Sequence, residues 1–163
     1  MNNRTVAISL GSNIGNRLKN IGDALHSLRL CGFRIKDTSR VWETMPWGET
    51  AQPRFLNMCL IAETDMSCDD MLSAIKRIEK KLGRTGTRRW GQREIDIDII
   101  LAGNEVYESD KLTIPHRLMQ ERAFVLRPLA EIAPDMRHPK LDKTVEELSC
   151  ALPPEEMQWI IKI

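Results

Sequence analysis

Apolar and polar positions along the chain follow two periods, which predict strands and helices in turn. Near-continuous or alternating apolar runs are typical of strands, and they occur at 5–10, 33–43, 55–63 and 95–101. Apolar residues three and four positions apart are typical of helices, and they occur at 18–28, 71–82, 124–133 and 144–152. Gly32 and Gly83 are placed to end the first two helices, and Ser67 with Asp70 has the spacing of a capping box.

The order strand, helix, strand, strand, helix, strand is that of a ferredoxin-like βαββαβ fold in the α+β class. We expect an antiparallel sheet with two helices on one face, the other face open to a ligand, and a helical extension at the C-terminal end. The 163 residues suffice for one domain, taken as 1–163, without an internal repeat or a linker.

Charge is balanced overall but uneven along the chain. Lysine and arginine number 24 and aspartate and glutamate 23, so the formal net charge is +1, which argues against a general nucleic-acid or membrane binder. Basic residues gather at 84–93 and recur at Lys111, Arg117 and Arg122, which favours a small anionic ligand. Four cysteines without a CxxC pair, and apolar runs too short for a membrane span, predict a soluble cytoplasmic protein. We expect a monomer.

The segment 94–101, Glu-Ile-Asp-Ile-Asp-Ile-Ile-Leu, places two carboxylates at alternate positions of an apolar strand. Alternate side chains share a face at a spacing of about 6.6 Å, so Asp96 and Asp98 project together. In a central strand their repulsion, about 2 kcal/mol, would favour a cation between them. Mg²⁺ suits the pair because it takes one or two carboxylates and completes its shell with water and phosphate oxygens. The alternative is a solvated strand face without a metal.

Basic residues directly before this strand strengthen the metal and phosphate interpretation. Guanidinium groups bind phosphate oxygens in a bidentate fashion, and the arginines concerned are Arg84, Arg88, Arg89 and Arg93. The turn at 11–16 also joins a strand to a helix, but it lacks the P-loop lysine and any GxGxxG pattern. We therefore interpret that turn as a structural one with a helix cap.

Histidines and aromatic residues supply the other candidates. His116 ends an extended segment in a basic region, where imidazole can donate to a phosphate oxygen, whereas His26 and His138 are expected to be solvated or locally bonded. A planar heterocycle is a fitting ligand for Phe55 and Phe124, with the Asn57 amide on its polar edge. From spacing alone, the two phenylalanines fit the core equally well.

These motifs together resemble those of the 6-hydroxymethyl-7,8-dihydropterin pyrophosphokinases over nearly the whole chain. The matching segments are Gly11-Ser12-Asn13, 44–48 with Gln52-Pro53, Phe55-Leu56-Asn57, Glu79, Gly83-Arg84, 89–101, Pro115-His116 and Arg122-Ala123-Phe124. The resemblance implies an enzyme of folate biosynthesis that moves diphosphate from ATP to the pterin hydroxymethyl group and releases AMP. Its partners would be these small molecules, without nucleic acid or membrane.

The resemblance also implies roles for individual residues. Asp96 and Asp98 would hold two Mg²⁺ ions that bridge the ATP phosphates, and Arg84 and Arg93, on a mobile loop that closes over ATP, would neutralise charge on the transferring group. The residues implied to contact ATP are Lys76, Glu79, Arg84, Arg88, Trp90, Arg93, Ile99, Lys111, Thr113, His116, Arg117 and Arg122. Those implied to contact the pterin are Thr44, Met45, Trp47, Phe55, Asn57, Asp96 and Phe124.

The chain departs from the family pattern at four positions. Gln92 and Met45 stand where prolines are usual, and Gly86 and Arg117 stand where a second arginine and an aromatic residue are common. Arg88 is then a candidate for the place of the second arginine. None of these changes removes a carboxylate, so we expect an active enzyme.

Two other functions fit parts of the sequence. A nucleotidyltransferase would also combine Gly11-Ser12 with a later Asp-x-Asp pair, but we expect that class to keep both motifs on neighbouring elements, and here they lie far apart in the sequence. An RNA-binding ferredoxin-like module would need aromatic residues and positive charge on its sheet, where this chain has carboxylates.

Overall fold

The secondary structure follows the predicted order and adds several short strands. A computed structural model of the chain describes residues 3–46, 51–83, 92–157 and 160–162. Within those ranges the strands are β1 (Arg4–Ser12), β2 (Arg34–Thr38), β3 (Trp42–Thr44), β4 (Phe55–Thr64), β5 (Asp96–Ala102), β6 (Tyr107–Glu108), β7 (Thr113–Ile114), β8 (Arg137–His138), β9 (Lys143–Thr144) and β10 (Ile160–Lys162). The helices are α1 (Arg17–Leu30), α2 (Cys68–Lys81), α3 (Ala123–Ile132), α4 (Val145–Cys150) and α5 (Pro154–Met157), with a 3₁₀ turn at Met119–Glu121. Among the helices in these ranges, none is both long enough and apolar enough to cross a membrane.

The main sheet is antiparallel, and its strands confirm the predicted fold. β2 and β3 both pair with β4, β4 pairs with β1, and β1 pairs with β5. With β2 and β3 together in the place of one strand, this is a ferredoxin-like sheet. At the far edge β10 pairs with β3, so the C-terminal end includes a strand in addition to the predicted helices.

Two predictions about the strands are wrong in detail. The single strand expected at 33–43 is split because the Ser39 hydroxyl accepts the Cys59 amide hydrogen at 2.9 Å and so takes the place of a backbone partner in the ladder. β5 lies at an edge of the main sheet and not at its centre. Asp96 and Asp98 are accordingly only half-buried, and the repulsion between them is better screened than a central position would allow.

One face of the sheet packs against α1 and α2. Val6, Ile8 and Leu10 alternate along β1 on this face and are fully buried. The predicted capping box is present at the start of α2, where the Ser67 hydroxyl accepts from the Asp70 amide at 3.1 Å and donates to the Asp70 carboxylate at 2.7 Å.

One position expected in the apolar stripe of α1 lies outside it. Leu18 is 61% exposed, whereas Ile21, Ala24 and Leu28 are buried. At 100° per residue, the buried face of α1 is centred on Ala24 and its neighbours, and Leu18 lies well away from that face.

The other face, expected to be open to a ligand, is open only in part. α3 and α4 cover one portion of it and form a second core with the sheet, which includes Ala7, Cys59, Ile100, Leu126, Leu129, Val145 and Leu148. The carboxyl end of β1 and the adjoining ends of β4 and β5 lie beyond this core. The candidate site is on that remaining part.

Candidate active site

A row of paired residues crosses the uncovered part of the sheet. Asp96 of β5 pairs with Gly11 of β1, Gly11 pairs with Asn57 of β4, and Asn57 pairs with Trp42 of β3. Directly paired residues of antiparallel strands point to the same face. The register therefore places the metal-ligand candidate Asp96 and the pterin candidate Asn57 on one face, with a glycine between them.

Asn57 is held in one orientation by its neighbours. The side chain is 4% exposed, and its Nδ2 donates to Thr44 Oγ1 over 2.5 Å. Its Oδ1 lies over Gly11, since a β-carbon at position 11 would come within 2.7 Å of that oxygen and 3.5 Å of the Phe55 ring. The close approach of the Asn57 amide to the backbone of β1 therefore requires glycine at position 11. The fixed amide combines a donor and an acceptor, as recognition of a heterocycle edge requires.

The aromatic candidates differ in their surroundings. Phe55 lies two residues before Asn57 on β4 and is half-buried on the same face. Phe124, in the first turn of α3, packs against the second core, so its ring also serves the core. The guanidinium carbon of the buried Arg122 lies 5.4 Å from the centre of the Phe124 ring, within the range of a cation–π contact.

Asp96 and Asp98 share a face as predicted, since they pair with Gly11 and Ser9 of β1. No group of three or more His, Cys, Asp or Glu side chains converges as a metal site within the residues that the structure describes. Two carboxylates do not make a cage for zinc or a structural calcium ion. They do fit Mg²⁺, which accepts two protein oxygens and takes its other ligands from water and phosphate.

The same register overturns one argument from the sequence. Gly11-Ser12 and the Asp-x-Asp pair lie on adjacent strands, and Gly11 is the direct partner of Asp96. The expectation that these motifs lie on separate parts of the fold is therefore wrong. Their separation along the chain says nothing against a nucleotidyltransferase.

A cleft of about 310 Å³ opens at the β5 edge, beside Asp98. It lies between α2 and the β6–β7 hairpin. The residues predicted to contact ATP that line it are Lys76, Ile99, Lys111, Thr113, His116 and Arg117. Its cationic side chains line the same cleft as Asp98, an arrangement that suits a polyphosphate with its metal ions.

Two further members of the predicted ATP set are buried. Glu79 is 2% exposed, and its Oε1 lies 3.2 Å from Lys76 Nζ one turn away on α2. This contact holds the ammonium group of Lys76, which lines the cleft. Arg122 is 7% exposed and precedes α3 at the border between the site and the second core.

The imidazole of His116 has a defined tautomer. Its backbone amide donates to the Ile100 carbonyl at 2.9 Å, and its Nδ1 accepts from the Leu118 amide at 3.2 Å. Burial, together with the nearby Arg122 and Arg117 and against the opposing effect of Asp96, lowers the pKa of His116 to about 4. At neutral pH the ring is thus neutral with its proton on Nε2, which makes that atom a hydrogen-bond donor.

His116 should make the free energy of unfolding depend on pH. The pKa is about 4 in the folded chain against an ordinary value of 6.5, so the unfolded chain binds the proton more tightly. The stabilisation is fully present above pH 6.5 and is lost as the pH falls toward 4, by about 1 to 2 kcal/mol between pH 7 and pH 5. Urea unfolding at both pH values should show a smaller loss for His116→Gln than for the parent. Equal losses would contradict the assignment.

The other two histidines behave as predicted. His26 is exposed on α1. His138 is 5% exposed, and its Nδ1 accepts from the amides of Lys140 and Leu141, each at 3.2 Å. Neither contacts the cleft or the row across the sheet.

The turn at 11–16 is the structural turn and helix cap that we predicted. Gly15 has a φ of +69°, and the Asn16 side chain caps α1 by accepting from the Lys19 amide at 3.1 Å. Local sequence did not predict the contacts of Asn13, which is 2% exposed and bonds to Gln52, Pro53 and Arg93.

Several predicted site residues lie outside the described residues. They are Trp47, Arg84, Arg88, Arg89 and Trp90, and most of the loop expected to close over ATP lies there too. Met45 is described and half-buried directly after β3, beside Thr44.

Known proteins are similar to this chain over most of its length. The model of the family 7,8-dihydro-6-hydroxymethylpterin-pyrophosphokinase (HPPK) matches residues 7–134. A 2-amino-4-hydroxy-6-hydroxymethyldihydropteridine pyrophosphokinase of Aquifex aeolicus is 40% identical over 143 residues, which are 88% of this chain and 89% of the relative. A mitochondrial folate synthesis bifunctional protein of Pisum sativum is 45% identical over 127 residues, 78% of this chain and 25% of the relative. The chain thus spans most of the first relative and a quarter of the second.

Solved structures share the fold. An HPPK-DHPS protein in complex with substrates aligns with a TM-score of 0.72 at 14% identity over 92% of this chain and 43% of that one. Wild-type HPPK-DHPS of Plasmodium falciparum with SDX-DHP aligns with a TM-score of 0.68 at 18% identity over 90% and 43%. The match of the family model and the identity to the Aquifex aeolicus protein go further than the fold. The chain belongs to the 7,8-dihydro-6-hydroxymethylpterin-pyrophosphokinase family.

Proposed function

We propose that this chain transfers diphosphate from ATP to the hydroxymethyl oxygen of 6-hydroxymethyl-7,8-dihydropterin in folate biosynthesis. The observation that carries the proposal is the row from Asp96 through Gly11 to Asn57. It sets a carboxylate pair two strand spacings, about 10 Å, from a fixed amide, with a cationic cleft beyond the carboxylates. Membership of the family supports the same reaction.

The reaction is a single transfer at phosphorus. A bond forms between the hydroxymethyl oxygen and the β-phosphorus of ATP. The bond from the β-phosphorus to the oxygen that bridges to the α-phosphorus breaks, which leaves AMP and the pterin diphosphate. The protein's task is to position the two substrates and to balance the charge of the phosphates.

On the nucleotide side, the cleft at β5 would bind ATP. Lys76, Lys111 and Arg117 supply positive charge, and the neutral His116 donates from Nε2 to a phosphate oxygen. The other described residues proposed for this side are Glu79, Arg93, Ile99, Thr113 and Arg122. Arg93 would neutralise charge on the transferring group.

On the pterin side, the uncovered face of the sheet would bind the ring. The Asn57 amide, oriented by Thr44, would pair with the polar edge of the pterin. Phe55 and the free part of the Phe124 ring would stack on its faces. Met45, after β3, would border the ring.

The carboxylates of Asp96 and Asp98 would hold two Mg²⁺ ions. Bound there, the ions would supply positive charge that balances the phosphates of ATP. Asp98 lines the cleft, and both carboxylates are half-buried on the edge strand, so phosphate oxygens of the substrate would complete the ligand set.

Product analysis tests the proposal. The purified chain with ATP, Mg²⁺ and the hydroxymethyl dihydropterin should form AMP and pterin diphosphate in equal amounts. A 6-methyl dihydropterin, which lacks the accepting hydroxyl, is the matched control and should give no AMP above background. Release of pyrophosphate with a nucleotidylated pterin would support a nucleotidyltransferase instead. Tight binding of RNA without Mg²⁺ and without turnover would support the RNA-binding module.

We also propose that the chain works as a monomer in the cytoplasm on these small molecules. The thiols of Cys31, Cys59, Cys68 and Cys150 are free, which suits a reducing compartment. Of the large apolar side chains exposed within the described ranges, Leu18 and Leu30 lie near opposite ends of α1, whereas Val106 and Leu141 lie in loops.

A further inference from the structure

One buried amide ties together the segments that lead into β4 and β5. Asn13 Nδ2 donates to Gln52 Oε1 at 2.9 Å and to the Pro53 carbonyl at 3.0 Å. Asn13 Oδ1 accepts from the Arg93 amide at 2.8 Å, and the Asn13 amide donates to the Arg93 carbonyl at 3.0 Å. Because a carbonyl only accepts and a backbone amide only donates, these partners fix which end of the side chain is oxygen. We call Asn13, Gln52, Pro53 and Arg93 the Asn13 clasp.

Both tied segments enter strands of the proposed site. Pro53 lies two residues before Phe55, where β4 begins, and Arg93 lies three residues before Asp96, where β5 begins. Asn13 directly follows β1, the strand between β4 and β5. A single residue directly after the middle strand therefore holds the segments that lead into both neighbouring strands.

The two ends of the Asn13 side chain hold different segments. The oxygen holds the segment of Arg93 and the carboxylates, which is the proposed ATP side. The NH₂ group holds the Gln52–Pro53 segment that leads to Phe55 and Asn57, which is the proposed pterin side. An aspartate at position 13 would keep the acceptor and lose both donors, and it would set a carboxylate oxygen against the Pro53 carbonyl.

We propose that Asn13 is a positioning residue that sets the pterin side of the site relative to the ATP side. This inference rests on the proposed function. Asn13 acts through the backbone of Arg93 and through the segment before Phe55. Its contribution is the mutual placement of the two substrates, and displacements of about 1 Å in such placement can lower rates by about 100-fold.

The experiment compares Asn13→Asp, Asn13→Ala and the parent by calorimetry and by steady-state kinetics. Asn13→Asp should weaken pterin binding at least about tenfold, measured with a saturating nonhydrolysable ATP analogue and Mg²⁺, while the affinity for that analogue stays within about twofold. Asn13→Ala removes both the accepting oxygen and the donating NH₂ group of the side chain. It should weaken the binding of both ligands and lower kcat at least about tenfold. Loss of the hydrogen-exchange protection of the Arg93 amide in Asn13→Ala, but not in Asn13→Asp, should accompany these changes.

The matched control is Asn20→Ala. Asn20 Nδ2 donates to Ser12 Oγ at 3.1 Å and to the Ile14 carbonyl at 2.9 Å, so this variant also removes two amide hydrogen bonds from the same turn. It touches neither the Gln52–Pro53 nor the Arg93 segment. We expect its kcat and both affinities to stay within about twofold of the parent, even where its urea midpoint falls as far as that of Asn13→Ala.

The outcomes separate this inference from the proposed function. Equal effects of Asn13→Ala and Asn20→Ala, or unchanged pterin affinity in Asn13→Asp, would overturn the role of Asn13. A parent that binds both ligands but forms no AMP would contradict the proposed function, and the binding comparison would then decide the role of Asn13 by itself.

Discussion

We expect Asp98→Ala to lower the rate of AMP formation at least about a thousandfold and to leave the fold intact. The substitution removes one of the two carboxylates proposed to hold Mg²⁺, and a factor of a thousand corresponds to about 4 kcal/mol of lost transition-state stabilisation. Asp98 is half-buried on an edge strand, so its loss opens no cavity in the core. The initial rate of AMP formation with saturating substrates measures the effect, and circular dichroism checks the fold.

Asp37→Ala is the control for this prediction. Asp37 is an exposed carboxylate on β2, in the same sheet but away from the cleft, and its removal should change the rate by less than about twofold. Mg²⁺ should strengthen the binding of an ATP analogue to the parent much more than to Asp98→Ala. Near-normal turnover in Asp98→Ala would show that Asp98 does not hold the metal.

We expect Asn57→Ala to lower kcat/KM for the pterin at least about a hundredfold and to leave the KM for ATP nearly unchanged. A site built around a hydrogen-bonding amide loses much of its affinity when that amide is removed, because the polar edge of the ligand is then buried without a partner. Thr44 also loses the hydrogen bond that it accepts from Nδ2. Kinetics with each substrate varied in turn separate the two effects.

Gly11→Ala tests the contact between the Asn57 amide and the backbone of β1. The added β-carbon would lie 2.7 Å from Asn57 Oδ1, so the amide must turn away from its bond to Thr44, and the KM for the pterin should rise about tenfold. Gly22→Ala is the matched control, since nothing lies within 4 Å of its added carbon. Alanine within α1 should stabilise the chain by about 0.5 to 1 kcal/mol. A parental KM in Gly11→Ala would contradict the placement of the pterin over β1 and β4.

Local periodicity predicted those features that depend on neighbours in the sequence. The two periods indicated the helices and main strands, and the spacing of Asp96 and Asp98 correctly placed both carboxylates on one face. The capping box at Ser67 follows from residues three positions apart. Such contacts are decided within one turn of chain.

The remaining features depend on contacts between distant segments. Whether β5 lies at an edge, and whether Gly11 lies beside Asp96, is decided by which strands pair, and periodicity does not determine pairing. The Ser39 hydroxyl splits a strand by accepting a hydrogen bond from the Cys59 amide. Asn13 bonds to Gln52 and Arg93, which lie 39 and 80 positions further along the chain. Thr44 and Met45 were found through the family resemblance, because they carry no local pattern of their own, whereas Phe55, Asn57 and Phe124 were chosen for their side-chain chemistry.

The covering of one part of the sheet by α3 and α4 limits what size of molecule the open part admits. An oligonucleotide that binds the face of a ferredoxin-like sheet stacks successive bases on neighbouring β-strands. In this chain α3 and α4 occupy the part of the face over which the oligonucleotide would continue. The part that stays uncovered is the carboxyl end of β1 with the adjoining ends of β4 and β5. The covering helices therefore restrict, by steric exclusion and independently of charge, the length of sheet that a ligand can contact.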